Sequence, residues 1–168
     1  MKKYELTTET LQLAGLTLHR IKAVRDFGSV KAGELGGWIE NEKNLSQDDN
    51  AWVYNNAKVF DKARVYGDAA VSDDATVCGY ARVYDNARVY GNAKVSGYAD
   101  VFENAIVFCH AKVYGFTRIF GNAIVLGNAI LFGHAKVYGK ATINGDAKVY
   151  DAADYIVFKN FWSSERYF

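Results

Sequence analysis

The sequence of 168 residues contains no proline, although average usage of about 5% would place roughly eight in a chain of this length. It also lacks any run of 18 apolar residues, so no membrane span is expected. Neither sign of charge is in clear excess, because the 20 Lys and Arg residues nearly balance the 19 Asp and Glu residues and leave a net charge of +1. A DNA mimic or a polybasic nucleic-acid tail requires a strong charge excess, so a nucleic-acid partner is not expected.

Cysteine is scarce as well. Cys78 and Cys109 have neither metal-binding nor redox-motif spacing, which is typical of a reducing compartment. The first ten residues, MKKYELTTET, contain two lysines but no apolar segment of the kind a signal peptide needs. These absences predict a cytoplasmic protein.

From residue 51 onward, an aliphatic residue recurs at every sixth position through 17 hexads without insertion or deletion. The aliphatic positions are Val53, Val59, Val65, Val71, Val77, Val83, Val89, Val95, Val101, Val107, Val113, Ile119, Val125, Leu131, Val137, Ile143 and Val149. An alanine stands two positions before each of them, with Thr117 as the single exception. A period this regular indicates a repeat architecture.

The hexad follows the alternation of a β-strand. Residues two apart point to the same side, so the alanine and the aliphatic residue face inward and their neighbours face outward. The next two residues turn a corner, and the first corner residue is Gly, Asn or Asp in all hexads except those with Glu103 and Cys109. Such short strands bury a face only by stacking coil on coil. Strands paired on both sides exclude proline, which explains its absence.

The hexads, of the type V-Y-G-N-A-K, resemble the left-handed parallel β-helix of the hexapeptide-repeat acyltransferases, which has three hexads per coil. The resemblance is stronger to YdcK-like β-solenoid proteins, because it includes the lead-in DFGSVKAGELGGWIENEKNLSQDDNAWVY at residues 26–54. It implies an all-β, single-stranded, left-handed parallel β-helix, a triangular solenoid of nearly six coils. The left hand comes from the resemblance alone, since crossovers are right-handed in general.

The length suggests one domain with three parts. Residues 1–50 lack the hexad rhythm, contain two strand-like segments, and are predicted to form an N-terminal β cap over the first coil. Residues 51–153 form the solenoid. Residues 154–168 are an aromatic C-terminal segment that is predicted to pack on the last coil, a side face or another chain.

With three hexads per coil, residues 18 apart stack, and one face carries aromatic and charged columns side by side. The aromatic column is Tyr66, Tyr84, Phe102, Phe120 and Tyr138, and the charged column is Arg64, Arg82, Asp100, Arg118 and Lys136. Stacked rings and cation–π contacts stiffen such a rod, which is one interpretation. Like charges held so close repel one another, and stiffness alone does not require them. The alternative interpretation is therefore that the cations form a contact surface for an anionic ligand or an acidic protein.

Two further surfaces are candidates for contact. One corner carries an aromatic ridge of Tyr80, Tyr98, Phe116 and His134, which is either structural or a contact site. Another face has an apolar block of Ile106, Phe108, Ile124 and Leu126, and a patch of this kind is usually covered. With Phe158 and Trp162 of the tail, the block predicts a homo-oligomer interface.

The sequence offers little for catalysis. The acyltransferase resemblance implies acyl-CoA, a catalytic histidine and a loop that protrudes between coils, but no insertion interrupts residues 51–153. His110 and His134 lie on different corners, and neither has a carboxylate at matching spacing. No metal site and no cofactor are therefore predicted.

The sequence thus favours a non-enzymatic binding or scaffold protein that acts through its side faces, for example a phage or bacterial inhibitor of a partner protein. The alternative is a hexapeptide-repeat acyltransferase that uses acyl-CoA, which only kinship of fold supports.

Overall fold

The computed structural model describes residues 2–150, which form an all-β structure with one short 3₁₀ turn, η1. The strands are β1 Tyr4–Leu13, β2 Leu16–Ala23, β3 Leu35–Ile39, β4 Trp52–Val53, β5 Lys58–Val59, β6 Arg64–Val65, β7 Ala70–Val71, β8 Thr76–Val77, β9 Arg82–Val83, β10 Arg88–Val89, β11 Lys94–Val95, β12 Asp100–Val101, β13 Ile106–Val107, β14 Lys112–Val113, β15 Arg118–Ile119, β16 Ile124–Val125, β17 Ile130–Phe132, β18 Lys136–Val137, β19 Thr142–Ile143 and β20 Lys148–Tyr150, and η1 is Glu42–Asn44. No helix within residues 2–150 is long and apolar enough to cross a membrane.

The hexad strands stack into three parallel sheets, one for each side of the coil. The hexads contribute six, six and five strands to these sheets, and β1, β2 and β3 extend the first sheet to nine strands. Every third hexad lies in the same sheet, as in the order β6-β9-β12-β15-β18. Within a sheet, each residue pairs with the residue 18 positions later, for example Val65 with Val83. The structure therefore confirms the all-β class, the parallel solenoid and the three hexads per coil.

The core is a continuous stack of the aliphatic and alanine positions. From Val53 to Ile143, every aliphatic hexad residue is at most 4% exposed. The exception to the alanine pattern, Thr117, is also buried, and its hydroxyl donates a hydrogen bond of 2.7 Å to the Tyr114 carbonyl. A polar side chain is tolerated at this depth because the backbone supplies its partner.

The two corner residues that depart from Gly, Asn and Asp adopt the same backbone as the others. Glu103 and Cys109 have φ values of 55° and 60°. Corner carboxylates also bond across coils, since Asp85 accepts from the Glu103 amide at 3.1 Å and Glu103 accepts from the Gly121 amide at 2.9 Å. An acidic side chain at the first corner position thus satisfies an amide of the following coil.

The N-terminal region joins the solenoid through a change from antiparallel to parallel pairing. Strands β1 and β2 form an antiparallel hairpin, β3 adds to β2 antiparallel, and β3 then pairs with β5 in parallel. Ile39 is opposite Val59, and Leu45 is opposite Val65. The lead-in coil is therefore two residues longer than the coils of the repeats.

The hairpin is fixed to the lead-in coil by two buried polar side chains at its start. The Lys3 ammonium is fully buried and donates to the carbonyls of Asp48 and Ala51 at 3.0 and 2.9 Å. The Tyr4 hydroxyl donates to the Leu45 carbonyl at 2.7 Å. Burial lowers the pKa of Lys3 to about 8, despite the opposing carboxylates of Asp49 and Asp48, and burial raises the pKa of Tyr4.

These shifts predict a stability maximum near pH 10. Between pH 8 and 10.5 the unfolded chain keeps the Lys3 proton while the folded chain releases it, so the free energy of unfolding rises with pH. Above about pH 10 the unfolded Tyr4 loses its proton while the folded one keeps it, so the free energy falls. Urea unfolding measured from pH 7 to 11 should show a Lys3 contribution of about 1–2 kcal/mol.

The control for this prediction is a neighbouring lysine. Lys3→Met should remove the increase in the free energy of unfolding below pH 10 and keep the decrease above it. Lys2→Met, at a side chain 61% exposed, should keep both the increase and the decrease. If the free energy of unfolding of Lys3→Met increases with pH as it does in the wild type, the increase does not come from Lys3.

Candidate ligand-binding face

The aromatic column of the sequence analysis is a single continuous stack. Successive rings from Tyr66 through Tyr84, Phe102 and Phe120 to Tyr138 have centroids 4.9 to 5.2 Å apart and planes within 8° of parallel. The stack follows from the in-register strands, which place equivalent side chains at one spacing along the rod. Burial raises the pKa of Tyr66 and of Tyr84, so both phenols stay neutral at physiological pH.

The charged column beside it is more strongly paired than the sequence indicated. Arg82 donates to both carboxylate oxygens of Asp100 at 2.7 Å, and only 9% of the Asp100 side chain is exposed. This bond raises the pKa of Arg82. The Arg118 guanidinium lies over the rings of Phe102 and Phe120, at 5.2 and 5.5 Å from their centroids. Arg82 and Arg118 are therefore largely engaged within the protein.

The corner ridge is the most exposed aromatic surface on this side. Tyr80, Tyr98 and Phe116 are 45, 51 and 52% exposed. They stack on one another and on His134 with centroids 4.7 to 5.0 Å apart. Because each ridge residue precedes a residue of the charged column by two positions, the ridge, the charged column and the aromatic column run side by side along the rod.

Sequence reasoning missed one member of this surface. The Lys62 ammonium lies 4.9 Å over the Tyr80 ring and donates to the Tyr80 hydroxyl at 3.0 Å, which raises the pKa of Lys62. Lys62 lies 18 positions before Tyr80, so the same stacking rule contained the signal.

The apolar block lies on another face. Ile106, Phe108, Ile124 and Leu126 are all half-buried, and Ile106 pairs in register with Ile124. Phe158 and Trp162 lie outside the described residues. The homo-oligomer interface therefore stays a prediction.

The two histidines considered for catalysis in the sequence analysis lie apart in the structure. His110 and His134 are exposed on separate corners, and the hexads from 51 to 150 continue without a protruding loop. Burial raises the pKa of the Cys78 thiol, which lowers its reactivity. Within residues 2–150, no three His, Cys, Asp or Glu side chains are grouped to hold a metal ion.

Comparison with known proteins identifies the type of repeat. The model of the YdcK β-solenoid repeat matches residues 63–79 and 81–99, which contain the first coils of this face. Residues 63–99 of this β-solenoid therefore contain the YdcK β-solenoid repeat. It is also similar to the uncharacterized acetyltransferase YdcK of Escherichia coli (strain K12), with 36% identity over 63 residues. That alignment covers 33% of this chain and 19% of the relative, so the chain spans about a fifth of the curated protein that it matches.

The match to the repeat model agrees with the β-solenoid seen in the structure. The matched residues include Arg64, Tyr66, Arg82 and Tyr84 of the face, together with Tyr98 of the ridge. They do not include His110 or His134. The match to the repeat model therefore concerns the coils.

Proposed function

We propose that this solenoid is a non-enzymatic binding protein that captures an acidic protein partner on the corner ridge and the charged column beside it. The observation that carries the proposal is the ridge, where Tyr80, Tyr98 and Phe116 are each about half exposed in one unbroken stack. Aromatic residues and arginine are enriched at protein interfaces, and they supply most of the strong contacts there.

Charge supports an acidic partner. The adjacent column has four cations, Arg64, Arg82, Arg118 and Lys136, and one carboxylate, Asp100. The resulting excess of positive charge would speed association with a negative surface and would make that association sensitive to salt. Homo-oligomerisation and a cytoplasmic location also remain predictions.

The test compares ridge variants with a matched tyrosine on another face. Tagged protein carrying Tyr98→Ser and Phe116→Ser should lose a captured partner that the wild-type protein and Tyr114→Ser retain, because Tyr114 is 40% exposed but lies off the ridge. Capture should weaken at least tenfold in the ridge variant, with an unchanged circular-dichroism spectrum. Equal capture by both variants would remove the ridge from the proposal.

A second candidate function is acetyl transfer from acyl-CoA. The comparisons favour it more directly than they favour protein binding, because the matched relative is named an acetyltransferase. The hexapeptide-repeat resemblance points the same way. Against it stand the uninterrupted hexads of residues 51–150 and the two exposed histidines on separate corners. Titration calorimetry with acetyl-CoA separates the two functions, since micromolar binding that is lost in His110→Ala or His134→Ala would favour the enzyme.

A further inference from the structure

The aromatic column ends at Tyr66, and the next level above it has no ring. One face of the Tyr66 ring stacks on Tyr84, with centroids 4.9 Å apart and planes 3° from parallel. In the coil above, Leu45 pairs with Val65, and the Ser46 amide donates to the Val65 carbonyl at 2.9 Å. Ser46 therefore occupies the position where the column would place another aromatic side chain.

This missing level is an open cavity. A cavity of about 450 Å³ lies between Tyr66 and the lead-in coil, and Lys43, Ser46, Gln47 and Arg64 also line it. A neighbouring cavity of about 700 Å³ shares Lys43 and Arg64 and adds Lys62 and Tyr80. These volumes are those of ordinary small-molecule sites. Tyr66 lines this space, in which an added planar ring would continue the stack.

The cavities are lined by cations whose nearby carboxylates are already engaged. Glu42 bonds to Lys2 at 2.6 Å, and Asp61 accepts from the Gly79 amide at 3.0 Å. Arg82 is paired with Asp100, as described above. Within the described part of the chain, no ion pair or side-chain hydrogen bond engages the Arg64 guanidinium or the Lys43 ammonium. Arg64 and Lys43 thus both line the cavity at the end of the aromatic stack.

We propose that this junction binds a mononucleotide, with the base stacked on Tyr66 as one more level of the column and the phosphate held by Arg64 and Lys43. The base fits because every other level of the column is a planar ring at about 5 Å. The phosphate fits because a guanidinium forks onto its oxygens and a lysine adds a point charge. The site shares Arg64 with the charged column of the proposed partner surface, but nucleotide binding at the junction does not depend on that partner.

The experiment titrates the protein with the four nucleoside 5′-monophosphates and with two fragments. At least one nucleotide should bind, and both its nucleoside and ribose 5-phosphate should bind at least tenfold more weakly, since stacking and the phosphate each contribute. Failure of all four nucleotides to bind at 10 mM would overturn the proposal. Equal binding of ribose 5-phosphate would also overturn it, because the site would then recognise an anion only.

Matched variants place the ligand at this end of the column. Tyr66→Leu should weaken nucleotide binding about tenfold, whereas Tyr138→Leu, at the opposite end of the same column, should not change it. Arg64→Gln should weaken binding of the nucleotide but not of the nucleoside, and Arg88→Gln, an exposed arginine on another face, should leave both unchanged. Melting temperatures of the four variants separate lost binding from lost folding. Equal weakening by Tyr66→Leu and Tyr138→Leu would contradict the assigned position.

Discussion

Replacing Val101 with Asp is expected to unfold the solenoid. Val101 has no exposed surface and lies in the middle strand of its sheet, between Val83 and Ile119 of the adjacent coils. An isolated carboxylate at this depth has neither water nor a counter-ion, and its desolvation costs several kcal/mol. That cost is of the same order as the total stability of a domain, about 5–15 kcal/mol.

The repeat architecture enlarges the effect. Each coil of a solenoid contacts only its neighbours, so a disrupted central coil withdraws support from the coils on both sides. Far-UV circular dichroism and thermal melting should show the loss of the cooperative β transition. The control is Lys94→Asp, which places the same carboxylate on an exposed outward position of β11 and should change stability by less than about 1 kcal/mol. A cooperative Val101→Asp protein that melts within a few degrees of wild type would contradict the core assignment.

The structure agrees with the sequence wherever the period alone decides the position of a side chain. Hexad spacing predicted the buried valines, and together with the three hexads per coil that the family resemblance implies it predicted the columns of stacked rings. At the corners, the repeat imposes a backbone conformation even on residues that disfavour it. Glu103 and Cys109 are poor residues for a left-handed backbone, yet both adopt it, since the ladders on either side fix the turn.

Features that depend on contacts between distant segments could not be predicted in this way. The burial of Lys3 depends on carbonyls of residues 48 and 51, and nothing in the first ten residues indicates those partners. The cavity above Tyr66 arises because the lead-in coil places Ser46 over the ring, and the residues before 51 lack the hexad rhythm from which such stacking is predicted. Spacing also put Asp100 between two arginines without showing that Arg82, rather than Arg118, would take both oxygens.

The Arg82–Asp100 pair leads to the second large expected effect, which is that Arg82→Glu destabilises the fold by about 3–5 kcal/mol. Asp100 is nearly buried, and the Arg82 fork supplies the bonds to both of its oxygens. The substitution removes this partner and places a second carboxylate one coil away, at the paired position of the same sheet. An uncompensated buried charge and a like-charge contact then act together.

Two comparisons in urea unfolding isolate the pair. Arg88→Glu makes the same charge change at an exposed position between Ala70 and Ile106, where no carboxylate is paired in register, and should cost less than about 1 kcal/mol. Adding Asp100→Asn to Arg82→Glu should restore part of the loss, because the buried charge is gone, and a double-mutant cycle then gives the coupling energy. If Arg82→Glu unfolds at the same urea concentration as Arg88→Glu, the pair contributes nothing to folding, and Arg82 becomes available to an acidic partner. If it unfolds earlier, loss of binding in an Arg82 variant reports lost structure, and the interaction surface must be tested through the ridge instead.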